Sequence, residues 1–166
     1  MADVSYSKLF DNIEDIQQLK DVLVVLVKTE WNAEIVDELE SGCRNVFNQY
    51  NIQTKTIAVP GAIEIPFAIQ QYSNNHNAIS AFIAFGCVIR GGTPHFEYVC
   101  QSVTQGVTQL NLSLSVPVIF GVLTVDTIDQ AKERTGGIHG HKGEEAAITA
   151  IKMMVLNKQL QSGNRQ

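Results

Sequence analysis

The chain has 166 residues, 45% of them hydrophobic and 17% charged, with a formal net charge of −5 at neutral pH. That length and apolar content are enough for a buried core, so residues 1–166 are read as a single domain rather than a disordered segment. The acidic balance, without a basic cluster, excludes a nucleic-acid binder, and the longest apolar run, residues 22–27, is far too short to cross a bilayer.

The first twenty residues are polar and acidic, lack an apolar signal core, and are read as an N-terminal arm. Cys43, Cys87 and Cys100 are odd in number and have no C-x-x-C spacing. They are read as buried thiols of a cytoplasmic protein in a reducing compartment.

Val22–Val27 is a β-branched apolar run of the kind buried on both faces of a sheet. Asn32 then stands where a helix cap is expected, followed by Ile35, Val36, Leu39, Cys43, Val46 and Phe47 at helical spacing. Residues 52–59 predict a strand stopped by Pro60-Gly61, and 63–72 a helix that starts properly near Pro66. Ala78–Ile89 is the most apolar strand, and Thr93 and Pro94 predict the cap and first residue of the next helix. Val116–Val125 gives a fourth strand, and Asp126 or Thr127 caps a short helix through Arg134 that Gly136-Gly137 ends. Lys142–Leu156 predicts the last helix, and residues 158–166 read as a frayed tail.

Alternating strands and helices with buried-type strands predict a parallel sheet covered on both faces, which gathers ligands at the carboxyl ends of its strands. That rule selects the loops 28–31, 60–64, 90–95 and 126 onward. Gly91-Gly92-Thr93 offers backbone amides at a helix start, as an anion pocket or as an ordinary tight turn. His95, in the first helical turn, has the chemistry of a proton shuttle near neutral pH. Arg134 and Lys142 are candidate phosphate cations, although Arg134 equally suits a helix C-terminus. Trp31, the only tryptophan, directly follows the first strand and could stack on a planar heterocycle; Glu64 could accept hydrogen bonds from a polyol. A zinc site from His95, His139 and His141 is a weak pattern, and no metal site is assigned.

Taken together, VPGAIEIPFA (59–68), GCVIRGGTPHFEYV (86–99), VPVIFGVLTV (116–125) and DQAKERTGG with GHKGEEAA (129–147) resemble the lumazine synthase family. The resemblance runs in order from Val22 to Leu156. It implies an α/β fold, a three-layer flavodoxin-like sandwich with a four-stranded parallel sheet and helices on both faces. It also implies a homo-pentamer, with an icosahedral shell of sixty subunits as a further assembly and riboflavin synthase as a partner. The implied reaction joins 5-amino-6-(D-ribitylamino)uracil to 3,4-dihydroxy-2-butanone 4-phosphate, a step of riboflavin biosynthesis, with no metal or organic cofactor.

By position, Trp31 matches the family's pyrimidine-stacking aromatic, and Ala62, Ile63 and Glu64 match the segment that holds the ribityl chain. Cys87, Val88 and Ile89 match the strand end that meets the pyrimidine, Gly92 and Thr93 the phosphate-side turn, and His95 the proton donor. Phe120 matches an aromatic supplied by the neighbouring subunit, Arg134 the phosphate clamp and Lys142 a supporting cation. Glu30, Pro94 and the histidines of GGIHGHKG depart from the family's usual pattern. Two alternatives stand beside this reading: a non-catalytic flavodoxin-like module for a flavin or nucleotide, and a shell-forming structural subunit.

Overall fold

The computed structural model describes residues 7–11, 16 and 19–163. Much of the expected N-terminal arm, and residues 164–166 of the expected tail, lie outside the described residues. Four parallel strands, β1 (Leu23–Thr29), β2 (Gln53–Val59), β3 (Ala81–Ile89) and β4 (Val118–Val125), form one sheet in the order β2-β1-β3-β4. Between them run α1 (Ala33–Gln49), a 3-10 turn (Ala62–Glu64) leading into α2 (Ile65–Asn75), and α3 (His95–Ser113). After β4 come the short α4 (Ile128–Lys132), a small antiparallel hairpin of β5 (Thr135–Gly137) and β6 (Gly140–His141), and α5 (Lys142–Gly163).

The alternation of side chains along each strand feeds two cores. Val24, Leu26, Ile83 and Phe85 pack with α1 and α5 through Leu39, Cys43, Phe47, Ala147 and Ile151. Val25, Val27, Phe82 and Ala84 pack on the other side with α2 and α3 through Ile65, Ile69, Val103 and Val107. This is the parallel sheet covered on both faces that the strand pattern predicts, and the three-layer flavodoxin-like sandwich that the resemblance implies. Each buried aliphatic side chain contributes roughly 1.5–3 kcal/mol of transfer free energy, which is why the continuous apolar runs settle into the two central strands.

Several local expectations change. Asn32 precedes α1 but makes no side-chain cap; its backbone is left-handed, with φ 56° and ψ 42°. The start of α3 falls one residue later than expected: Pro94, at its natural φ of −63°, is the N-cap and His95 the first helical residue, while Thr93 Oγ1 accepts from the His95 amide at 3.4 Å without capping the helix. Of the two caps considered for α4, Thr127 takes the role by accepting from Gln130 N at 3.2 Å. Gly136-Gly137 ends no long helix. α4 stops at Lys132, and the glycines enter the hairpin, where Gly136 takes φ 113°. α5 continues past Leu156 to Gly163, and Asn157 ties its later turns down by donating to Ser115 O at 2.9 Å. Among the described residues no helix is long and apolar enough to cross a membrane.

Candidate active site

The sheet order puts a switch point between β1 and β3: the chain leaves β1 toward β2 over one face and leaves β3 toward β4 over the other. A crevice at the carboxyl ends of the two central strands follows from that divergence. It is a cavity of about 380 Å³, within the range of small-molecule sites.

Its first wall is the β1–α1 loop. Trp31 stands directly after the strand, anchored by its amide to Pro60 O at 3.3 Å and by Thr29 Oγ1 donating to its carbonyl at 3.1 Å. The indole is 73% exposed, a large apolar surface turned to the crevice rather than the core. Opposite lies the 3-10 turn, where Ala62, Ile63 and Glu64 face the same space. Gly61 lies close between them: a Cβ there would come to 3.0 Å from the Glu64 carboxylate, which would have to shift to admit it.

The floor is the end of β3, supplied by Cys87, Val88 and Ile89. β1 pairs with β3 only as far as Lys28 against Phe85, whereas β4 follows it to Val125 against Ile89. The last residues of β3 therefore have no strand beside them on the β1 side. Such an edge presents backbone donors and acceptors to a ligand. Burial pushes the Cys87 thiol up to about 11, so it stays protonated at neutral pH and has no nucleophilic role. As expected, all three cysteines are free, and Cys43 and Cys87 are buried; Cys100 is only partly so.

The third wall is the start of α3, with His95 exposed in its first turn and Val99 one turn on. Trp31, Ala62, Ile63, Glu64, Cys87, Val88, Ile89 and His95 thus converge on one crevice, from four separated parts of the chain. Thr29 and Gly61, within the loops selected from the sequence, join them, as do Asn32 and Val99, which the sequence does not place in the site. Asn32 was legible only as a helix cap; its actual partner, the Cys87 carbonyl at 2.7 Å, is 55 residues away.

Gly92 and Thr93 lie just beyond, on the β3–α3 turn. Neither Gly91 nor Gly92 has a positive φ, and a Cβ on either would meet nothing within 4 Å. Neither conformation nor internal packing requires glycine there, and the backbone is open to approach from outside. Arg90 braces the turn: its guanidinium donates to Asp126 at 2.7 Å and to Glu97, and lies 4.1 Å from the Phe96 ring centroid.

The remaining expected residues stand elsewhere in the same chain. Phe120, 42% exposed on the edge strand β4, and Lys142 line a second cavity of about 350 Å³. Lys142 is only 5% exposed and holds Glu145 Oε1 at 2.6 Å. Arg134 Nη1 donates to Gln130 O at 2.7 Å, just past α4. His139 lies 3.8 Å from Glu133, and His141 Nδ1 accepts from Gly143 N. Among the described residues, no three His, Cys, Asp or Glu side chains are gathered to hold a metal ion.

Comparison with known proteins identifies the family. Residues 21–158 match the family model described as 6,7-dimethyl-8-ribityllumazine synthase. A protein of that name from Porphyromonas gingivalis is 44% identical over 158 residues, covering 93% of this chain and 98% of its own. Namesakes from Parabacteroides distasonis and Bacteroides fragilis are 42% and 46% identical, covering 87% and 78% of this chain and 90% and 92% of theirs. Matched along most of its length by both the family model and these relatives, the chain belongs to the 6,7-dimethyl-8-ribityllumazine synthase family.

Proposed function

We propose that the protein condenses 5-amino-6-(D-ribitylamino)uracil with 3,4-dihydroxy-2-butanone 4-phosphate to 6,7-dimethyl-8-ribityllumazine, releasing phosphate and water. The convergence of eight expected residues on one crevice at the switch point carries this reading. Trp31 offers a stacking face for the pyrimidine, the open edge of β3 offers polar partners for its rim, and Glu64 in the 3-10 turn accepts from the ribityl hydroxyls. Attack of the substrate amine on the ketone passes through a carbinolamine and an imine, and each needs a proton moved. His95 is the group in the crevice with the chemistry to move it. Holding both substrates in register supplies the entropic part of the acceleration.

Loss of phosphate calls for fixed positive charge and free amides. The Gly91–Thr93 turn supplies amides beside His95. Arg134, Lys142 and Phe120 lie away from the crevice of their own chain, with Phe120 and Lys142 sharing the second cavity. In the ring we propose, a neighbouring subunit brings these three to the open side of each crevice. The ring is a homo-pentamer, assembled further into a sixty-subunit shell, working in the cytoplasm and able to pass its product to riboflavin synthase.

Incubating the protein with both substrates and following the lumazine chromophore by absorbance and fluorescence tests the reaction. Product formation dependent on both substrates is expected. Flavin binding without turnover would support the non-catalytic module instead, and neither binding nor turnover would support the structural subunit.

A further inference from the structure

We propose that Asn32 is a positioning residue for the pyrimidine substrate: its side-chain amide ties the loop carrying Trp31 to the end of β3, making the stacking face and the strand edge one rigid receptor. The inference rests on the function proposed above.

Two independent features single out asparagine at this position. The backbone is left-handed, a conformation that asparagine, aspartate and glycine tolerate better than other residues. The side-chain contact then discriminates among those three. Cys87 O accepts from Asn32 Nδ2 at 2.7 Å, so the group facing it must be a donor. Glycine satisfies the backbone but makes no bond, while aspartate would set a carboxylate against a carbonyl.

The bond also sits where the sheet is incomplete. β1 stops pairing with β3 at Phe85, two residues before Cys87, and the Asn32 amide takes the carbonyl next left over on that side. Trp31 is the immediately preceding residue, and its other ties, to Pro60 and Thr29, hold it toward β2 and β1 only. Asn32 is thus the tie that fixes the indole relative to β3, the surface that meets the other side of a stacked ring.

The test uses Asn32→Gly and Asn32→Asp in the full-length assembled protein, with folding checked by circular dichroism. As the sole tryptophan, Trp31 is a direct reporter. In the ligand-free protein, both variants should show increased fast local motion in the decay of Trp31 emission anisotropy. In turnover assays, KM for the ribitylaminouracil should rise by about tenfold in Asn32→Gly, and further in Asn32→Asp, the scale of one lost, partly buried hydrogen bond. KM for the butanone phosphate should stay within about twofold, since its side of the crevice is untouched.

Unchanged anisotropy with both KM values unchanged would overturn the proposal. So would equal weakening of both substrates, which marks a general structural role. If the parent makes no lumazine while the variants still loosen Trp31, the tie stands and the enzymatic reading, with the substrate role built on it, falls.

Discussion

The role proposed for His95 is one that its local surroundings do not impose. Its side chain is exposed and makes no hydrogen bond among the described residues, so a structural duty is hard to assign. His95→Ala should lower kcat by roughly a hundredfold or more if proton transfer limits the reaction, with ribitylaminouracil binding nearly intact because Trp31 is untouched. Unchanged turnover at neutral pH would remove it from the mechanism. Arg134 has two competing explanations. Its bond to Gln130 O is what a cation at a helix C-terminus ordinarily makes, yet its side chain is 20% exposed and keeps further donors. Arg134→Ala should weaken the phosphate-bearing substrate by about ten- to a hundredfold, the worth of a charge-assisted contact, and spare the uracil. Titrating each substrate alone decides the matter: weakening of both, or of neither, leaves only the helix-end explanation.

At the scale of elements, the junction of α1 with the edge strand β2 is electrostatic, while α1 against α5 is close apolar packing. Glu40, 8% exposed, receives Lys28 at 2.6 Å and Arg44 at 2.8 Å, with Thr56 bonded to the same carboxylate; Arg44 also reaches Thr54 and Thr56. Burial pushes the Glu40 carboxyl up, but the hydrogen bonds from Lys28, Thr56 and Arg44 outweigh it and hold it below its ordinary 4.5. Because the folded value is depressed, the network's stabilisation is complete above the unfolded value and is lost as pH falls through the folded one. Glu40→Gln should cost about 1–3 kcal/mol at pH 7, and the gap to the parent should shrink as pH falls below the ordinary 4.5 and be gone at an acid pH below the folded value. Urea unfolding at both pH values measures it; a gap of constant size would show that the charge is not what matters. On the other side of α1, a Cβ on Gly143 would lie 2.0 Å from Leu39 O, so α5 seats its first turn against the α1 backbone. The pattern of Leu39, Cys43, Ala147 and Ile151 foretold that these helices are buried. It did not foretell that they touch.

For the whole molecule, the separation of the two half-sites has a direct consequence. In the proposed ring, His95 would serve the crevice of its own subunit and Phe120 that of a neighbour, so neither variant alone would keep a complete site. Co-assembling His95→Ala with Phe120→Ala subunits should restore activity, to about a quarter of the parent's sites for random mixing around a ring. No gain over the two separate variants would place both residues in one subunit's site. Light scattering on the parent then distinguishes a closed shell from a single five-membered ring.

Sequence alone determined the layered fold, because burying β-branched runs and helical apolar stripes leaves few alternatives. It also located the crevice, since loops at strand ends follow from strand order along the chain. Chemical identity was legible as well: an indole, a carboxylate, an imidazole and a glycine turn stand at fixed places in the text. What the sequence left open depends on contacts between distant residues. The sheet order made β1 end short of β3, and only that mismatch gives Asn32 a carbonyl to hold instead of a helix to cap. The hairpin at 135–141 was read as a helix stop because Gly-Gly serves both, and tertiary packing chose between them. Arg134 and Lys142 looked like members of one constellation with His95, but the fold of a single chain sets them apart from it, as it does Phe120, which was expected to serve a neighbour. Spacing along the chain records which elements follow one another, whereas the side of the sheet on which each one lands is settled by packing.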